Sequence, residues 1–298
     1  MMRIAVTGTT GQLVRSLLTN ATATDVEVVT LGRPDLDLER PADIHAVIER
    51  VRADCIVNAA AYTAVDKAES EPELAMAINA TGVRAVADAA HALRLPLIQI
   101  STDYVFDGAL PRPWREDDAT GPLGAYGRSK LLGEQAIAAA GDNHVILRTA
   151  WVHSPYGANF VKTMLRLAES REEIGVVADQ VGTPTYAPDL AEAVIAIARR
   201  LVNEPGNAEL RGTFHAAGSG ETSWAGLAEA VFAASARLGG PSVRVKPITT
   251  ADYPTPARRP ANSRLDCGRL EARYGLRLPH WQVSVEDCVA RLLTGSER

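Results

Sequence analysis

A doubly wound parallel sheet of the α/β class, with a smaller C-terminal lobe, is the architecture this sequence predicts. Three observations predict it. Short apolar runs alternate with helical stretches over residues 1–150, and strands spaced by helices in this way pair in parallel. The first run ends in a glycine-punctuated turn, Gly8-Thr-Thr-Gly11-Gln-Leu-Val14, which opens a helix. Beyond Trp151 the alternation loosens, as Pro155, Gly157, Gly175, Gly182, Pro184 and Pro188 break the chain into short pieces. Residues 1–150 are therefore expected to form the sheet domain. Residues 151–298 are expected to form mainly a substrate lobe, with elements returning to the sheet near 176–203.

The elements follow in order. Arg3–Thr7 is an apolar, β-branched strand. The turn and helix after it match a Rossmann-type nucleotide fold: glycines let the backbone approach a pyrophosphate, and the unpaired N–H groups of a helix start attract it. The third glycine of that pattern is replaced by Val14, which implies a different seat for the helix on the strand. Glu27–Leu31 reads as a second strand, ending at Gly32-Arg33. An arginine at this place suits the 2′-phosphate of NADP; a solvated surface charge fits the position too. Asp37-Leu38 follows, at the place where an adenine would lie, and a helix spans about Pro41 to Val51.

Cys55–Asn58 is the third strand, and it runs into Ala59-Ala60-Ala61-Tyr62-Thr63-Ala64-Val65-Asp66. Small residues there leave room for a cofactor, or for close packing. One long helix is expected from about Glu71 to Leu93, carrying Asn79 and Gly82. Pro96–Ile100 is the fourth strand. It delivers Ser101-Thr102-Asp103-Tyr104 at its carboxyl end, where open parallel sheets bind ligands.

A helix from Tyr126 to about Ala140 comes next, with Tyr126 and Lys130 four residues apart. That spacing puts both on one face. A nearby cation favours an ionised phenol, so the pair is either a tyrosine with lowered pKa, able to exchange a proton with a substrate oxygen, or a surface tyrosine and lysine on an amphipathic helix. His144–Arg148 is the fifth strand. Later come a helix from Pro188 to about Val202 and a closing helix from Ser284 to Leu293. Trp151 is either a wall for a sugar face or a core residue. The proline-rich stretch 253–264 gathers Arg258, Arg259 and Arg264, which suits bidentate diphosphate recognition or a solvated basic loop.

Composition narrows the classes. Of 298 residues 46% are hydrophobic and 22% charged, with a net charge of -5, so a nucleic-acid partner is not expected. Cys55, Cys267 and Cys288 stand far apart with no metal-ligand spacing. No leader layout and no membrane-length apolar run is visible, so a cytoplasmic protein without a membrane partner is expected.

Together these segments resemble the extended short-chain dehydrogenase/reductase family, and within it the dTDP-4-dehydrorhamnose reductase family. The resemblance rests on Ser101-Thr-Asp-Tyr-Val-Phe-Asp-Gly108, Tyr126-Gly-Arg-Ser-Lys-Leu-Leu-Gly-Glu134, Arg148-Thr-Ala-Trp-Val152, Asp179-Gln-Val-Gly-Thr-Pro-Thr-Tyr186 and Arg259-Pro-Ala-Asn-Ser-Arg-Leu-Asp266. It spans Gly8 to Asp266. It implies reduction of a ketone on a deoxysugar carried by thymidine diphosphate, with NADPH or NADH. Tyr126 would donate the proton, Lys130 would depress its pKa and hold the nicotinamide ribose, and Thr102 would orient the ketone. Gly8, Thr10, Gly11, Gln12, Leu13, Asp37, Leu38, Ala59, Ala60, Ala61, Tyr62, Tyr126 and Lys130 would line the cofactor. Thr63, Val65, Asp103, Tyr104 and Trp151 would face the sugar.

Related dehydratases place a glutamate after Thr-Asp to drive elimination. Here Tyr104 follows Asp103, which favours simple reduction. A cofactor-binding regulatory subunit without turnover is the rival of a different class, and the presence of all three of Thr102, Tyr126 and Lys130 counts against it. Some relatives form a magnesium-linked dimer through acids in the first helix. Residues 12–20 hold none, so no metal is expected, and the chain is expected to be a monomer or a metal-independent dimer.

Overall fold

The computed structural model describes residues 1–295, so the last three residues of the expected C-terminal lobe, 296–298, lie outside the described residues. Five strands come from the first half: β1 (Met2–Thr7), β2 (Val26–Leu31), β3 (Cys55–Asn58), β4 (Leu97–Thr102) and β5 (His144–Thr149). They form one parallel sheet in the order β5-β4-β3-β1-β2, and the strand Gly212–His215 pairs in parallel with the outer edge of β5. The chain leaves β1 toward β2, then crosses back to β3. The carboxyl ends of β1 and β3 therefore flank the point where winding reverses, the place where such sheets open a ligand crevice.

Period-two alternation sends β-strand side chains to opposite faces. Ile4 and Val6 of β1 pack with Leu13 and Leu17 of the helix Gln12–Ala21, and with Leu190, Val194 and Ile197 of the helix Ala187–Asn203. Ala5, between them, faces the opposite layer, where Ile44 and Ile48, Val83 and Val86, and Ile137 come from three further helices.

Three expectations are corrected. The returning elements are the helix Ala187–Asn203, the edge strand Gly212–His215 and the helix Gly268–Tyr274, whose Leu270 and Tyr274 are buried in the sheet's core. The expected stretch 176–203 is thus too narrow. Glu173–Val177 belongs instead to the lobe, where it pairs with Arg244–Ile248. The helix expected over Glu71–Leu93 is interrupted: Pro72–Met76 and Val83–Ala92 flank a π-helical turn, Ala77–Gly82, which carries Asn79. Such turns often mark functional positions. The closing helix is longer than expected, Trp281–Thr294, because the ring of His280 accepts from the Gln282 N–H at its start.

The lobe has its own apolar core. Val161 and Leu165, Leu227, Val231 and Phe232, and Trp281, Val285 and Val289 meet there from three helices.

Candidate active site

A cleft of about 1000 Å³ opens over the carboxyl ends of β1, β3 and β4. Its floor is the turn after β1. Gly8 has φ +95°, a conformation that glycine adopts without penalty, and its N–H donates to Leu31 O at 2.6 Å. The helix Gln12–Ala21 starts at Gly11 with no side chain capping it, so its first N–H groups are left for an anion. Val14 is 2% exposed and packs in the core below. Under the cleft runs a buried ladder: Thr7 Oγ1 donates to Asn58 Oδ1 at 2.5 Å, and Asn58 Nδ2 donates to Gln99 Oε1 at 2.7 Å. Thr7 Oγ1 also accepts the Ala60 N–H at 3.1 Å, fixing the small-residue wall 59–61.

Tyr62 is set by Asn79, a residue that sequence reasoning left without a role. Asn79 Oδ1 accepts the Tyr62 N–H at 2.9 Å, and its Nδ2 donates to Tyr62 O and to Ser129 Oγ, each at 3.0 Å. A lone amide inside an otherwise small and apolar helical stretch was the available signal.

The helix Ala125–Ala140 forms the other wall. It seats backbone to backbone: a Cβ on Gly127 would lie 2.2 Å from Tyr104 O, and one on Gly133 would lie 2.2 Å from Asn79 O. Tyr126 and Lys130 are both buried and both line the cleft. The Tyr126 ring meets Tyr104 edge-on with centroids 5.5 Å apart, and the Tyr104 N–H donates to Thr102 Oγ1 at 3.2 Å. Lys130 Nζ donates to Ile100 O at 2.7 Å.

In the protein alone burial, rather than the charge of Lys130, sets the direction of the Tyr126 pKa, opposite to the lowering expected from the spacing. Burial raises the phenol above its ordinary value, with the nearby Thr102 hydroxyl opposing. Burial lowers Lys130 to about 8, with the Glu134 carboxylate opposing. Desolvation disfavours the charged form of each. The phenol therefore keeps its proton at neutral pH, the state a donor needs.

Asp103 is buried and pushed up to about 6 by desolvation. Its Oδ1 accepts from Thr102 Oγ1 at 3.1 Å, while Oδ2 has no partner. Beneath them lies an ion pair, Arg148 with Glu134 at 2.7 Å, to which Ser101 Oγ donates at 2.5 Å. This pair ties β4 and β5 to the helix of Tyr126.

On the lobe side Trp151 is both wall and packing. It lines the cleft with φ +49° and stacks on Trp224, centroids 3.5 Å apart. Gly182 admits the ring, since a Cβ there would lie 2.4 Å from Trp151 Cε2. Arg33 stands at the rim, its side chain 62% exposed, paired with Asp37 at 3.1 Å and with Glu39. The three arginines of 253–264 do not gather: Arg258 is exposed, Arg259 pairs with Asp66, and Arg264 bonds Asn262, Pro111 and Glu221 away from the cleft. The chain path turns successive guanidinium groups to different neighbours, and of the two readings of this stretch the exposed Arg258 fits the solvated one.

Every residue that sequence reasoning assigned to cofactor or sugar lines this one cleft, including Thr10, Gln12, Leu38, Thr63 and Val65. The same reasoning missed Gly157 and Ala158, contributed from the second half. The dimensions, the uncapped helix start and the positive-φ glycine fit a dinucleotide.

Comparison with known proteins agrees with this geometry. The family model described as RmlD substrate binding domain matches residues 2–294. The chain is 54% identical to the dTDP-4-dehydrorhamnose reductase of Sinorhizobium fredii, over 99% of this chain and 100% of that protein. With the enzyme of the same name from Escherichia coli K12 it shares 45% identity, over 87% of this chain and 86% of that one. Among solved structures, the Bacillus anthracis dTDP-4-dehydrorhamnose reductase in complex with NADP superposes with a TM-score of 0.89 at 35% identity, covering 98% of this chain and 100% of that chain. On the matched model, these identities and the shared fold, the chain belongs to the dTDP-4-dehydrorhamnose reductase family.

Proposed function

We propose that this chain reduces the 4-keto group of dTDP-4-dehydro-L-rhamnose to give dTDP-L-rhamnose, using NADPH or NADH, and so supplies an activated sugar for cell-surface polysaccharide. The observation that carries the chemistry is that Thr102, Tyr126 and Lys130 line the same cleft as the uncapped helix start at Gly11. When bound, the dihydronicotinamide supplies hydride to the ketone carbon; the protein supplies position and protons.

Tyr126 is read as the donor to the forming alkoxide, since burial keeps its hydroxyl protonated. Thr102 is read as the group that orients the ketone oxygen beside that phenol. Lys130, desolvated and anchored to Ile100 O, is read as the cation that holds the nicotinamide ribose. Gly8 to Leu13 would hold the pyrophosphate, Asp37 and Leu38 the adenosine, and Ala59 to Tyr62 the nicotinamide side. Arg33 would favour the 2′-phosphate. Thr63, Val65, Asp103, Tyr104 and Trp151 would face the sugar. The reading includes a cytoplasmic enzyme, monomeric or a dimer that needs no metal; among the described residues no helix is long and apolar enough to cross a membrane.

The test is loss of dihydronicotinamide absorbance on mixing purified chain, NADPH and dTDP-4-dehydro-L-rhamnose, with dTDP-L-rhamnose as product. A rate that is higher with another dTDP-4-keto-deoxysugar would reassign the substrate. No oxidation with any of them, despite NADPH binding, would turn the reading to a regulatory subunit.

A further inference from the structure

The helix that carries Tyr126 is not capped by its own N-terminal residue. Gly124 stands at the N-cap and has no side chain to accept a first-turn N–H. The acceptor comes from elsewhere in the chain: the Ala125 N–H donates to Glu69 Oε1 at 2.7 Å. Gly124 makes room for it, since a Cβ there would lie 2.5 Å from that same oxygen. Glu69 sits at the end of the short helix Val65–Ala68. Asp66, on that helix, reaches the other way. Its Oδ2 takes Arg259 Nη2 at 2.8 Å, and its Oδ1 takes the Ala257 N–H at 3.2 Å. Both partners lie in the second half of the chain. Arg259 Nη1 is buried with no hydrogen-bond partner, so Asp66 is what holds that guanidinium. Val65, beside Asp66, lines the cleft.

We infer that the segment 65–71 is the element through which the substrate lobe sets the position of Tyr126, with Glu69 and Asp66 as positioning residues. This deepens the assignment of Tyr126 as proton donor and rests on it. First-turn N–H groups have no intrahelical partner, and Tyr126 is the second residue of its helix, so fraying at Ala125 moves the phenol directly. A donor misplaced by a fraction of an ångström loses rate. Lys130 lies one turn deeper and is anchored separately to Ile100 O, so its hold on the cofactor survives. The segment is itself braced at its far end, where Glu71 takes both Lys67 and the Tyr62 hydroxyl.

The test combines amide hydrogen exchange over residues 125–131 with steady-state kinetics on the full chain. Losing a cap acceptor in Glu69→Ala should speed exchange there about five- to tenfold. It should lower kcat by a similar factor, with the KM for NADPH within about twofold. Glu69→Gln keeps an acceptor oxygen and should recover most of both. Asp66→Asn, whose side chain has no hydrogen bond to that helix, should still raise exchange over 125–131 and raise the KM for the sugar nucleotide severalfold. Unchanged exchange in Glu69→Ala, or a lowered Tm with unchanged kcat per folded molecule, overturns the positioning role. Unchanged exchange in Asp66→Asn removes the link to the lobe. Absence of turnover in the parent protein would count against the proposed reduction instead, while the exchange data would still decide the linkage.

Discussion

The two walls of the cleft are built from opposite materials. The sheet wall concentrates buried polar groups where the strands end: Thr7, Asn58 and Gln99 in a ladder, Glu134 with Arg148, and Lys130 and Asp103 without a counter-charge bonded to them. The lobe wall is aromatic, Trp151 stacked on Trp224 with Phe160 against it, over an apolar core. Buried charge costs stability unless paired, whereas aromatic burial supplies it. The sheet wall therefore holds, in Lys130 and Asp103, charges that the fold would be more stable without, and the lobe wall holds groups that the fold needs. Substitutions on the two sides should leave opposite signatures.

The largest effect expected is on the sheet side. Tyr126→Phe removes the proton donor and leaves the ring. Turnover should fall by about 10²–10⁴-fold, the span of general acid catalysis, with cofactor affinity nearly kept and Tm unchanged. Stopped-flow reduction rates and NADPH titration check it; a kcat within a few-fold of the parent would remove Tyr126 from the chemistry.

Trp224→Ala should show the reverse pattern. A fully buried aromatic truncated to alanine costs about 3–5 kcal/mol, and Trp224 is half-buried, so roughly 2 kcal/mol is expected by denaturant unfolding. Trp151 then loses the ring it stacks on, so the KM for the sugar nucleotide should rise while kcat changes little. A fall in kcat with KM unchanged would show that the lobe wall also takes part in the chemical step.

Asp103→Asn tests whether the sheet wall carries a stability cost. The folded pKa, about 6, stands above the ordinary 3.8. Between those values the folded state binds more protons than the unfolded state, so stability falls as pH rises through that window. The neutral isostere escapes this. The Asp103→Asn variant should therefore match the parent below pH ~4 and exceed it at pH 7 by on the order of 3 kcal/mol, at 1.36 kcal/mol per unit. Equal stability at both pH values would mean the carboxylate is better solvated than its burial indicates.

The same contrast explains what the sequence revealed. The sheet wall is assembled from strand ends and the turns directly after them, so Gly8, Thr102 and the Tyr126–Lys130 pair each carry a local signature of spacing and strand end. Asn79 was passed over because its partners, Tyr62 and Ser129, are 17 and 50 residues away. The lobe wall has no local period at all: Gly182 and Trp224 matter only because the fold carries them to Trp151. Adjacency in sequence likewise does not decide between a diphosphate cluster and a solvated loop for Arg258, Arg259 and Arg264, because the chain path sends the three guanidinium groups to different surroundings.

The smallest effect is expected at the rim, where the sheet wall meets solvent. Arg33 is read as the partner of a 2′-phosphate, yet its guanidinium already bonds Asp37 and Glu39. A phosphate must therefore compete with two carboxylates for a largely exposed side chain, and exposed ion pairs contribute only ~0.2–1 kcal/mol. Arg33→Ala should weaken NADPH by roughly two- to fivefold, on that scale, and leave NADH unchanged or slightly tighter, since the two acids are then free for ribose hydroxyls. Asp37 should report the same change. Its carboxyl is held below its ordinary value first by the Glu39 N–H and then, against a burial cost, by Arg33, so losing the arginine raises it and losing the N–H bond would raise it more. Parallel Kd measurements for the two cofactors decide the matter: equal weakening of both would assign Arg33 to holding the 32–39 turn rather than to reading the phosphate.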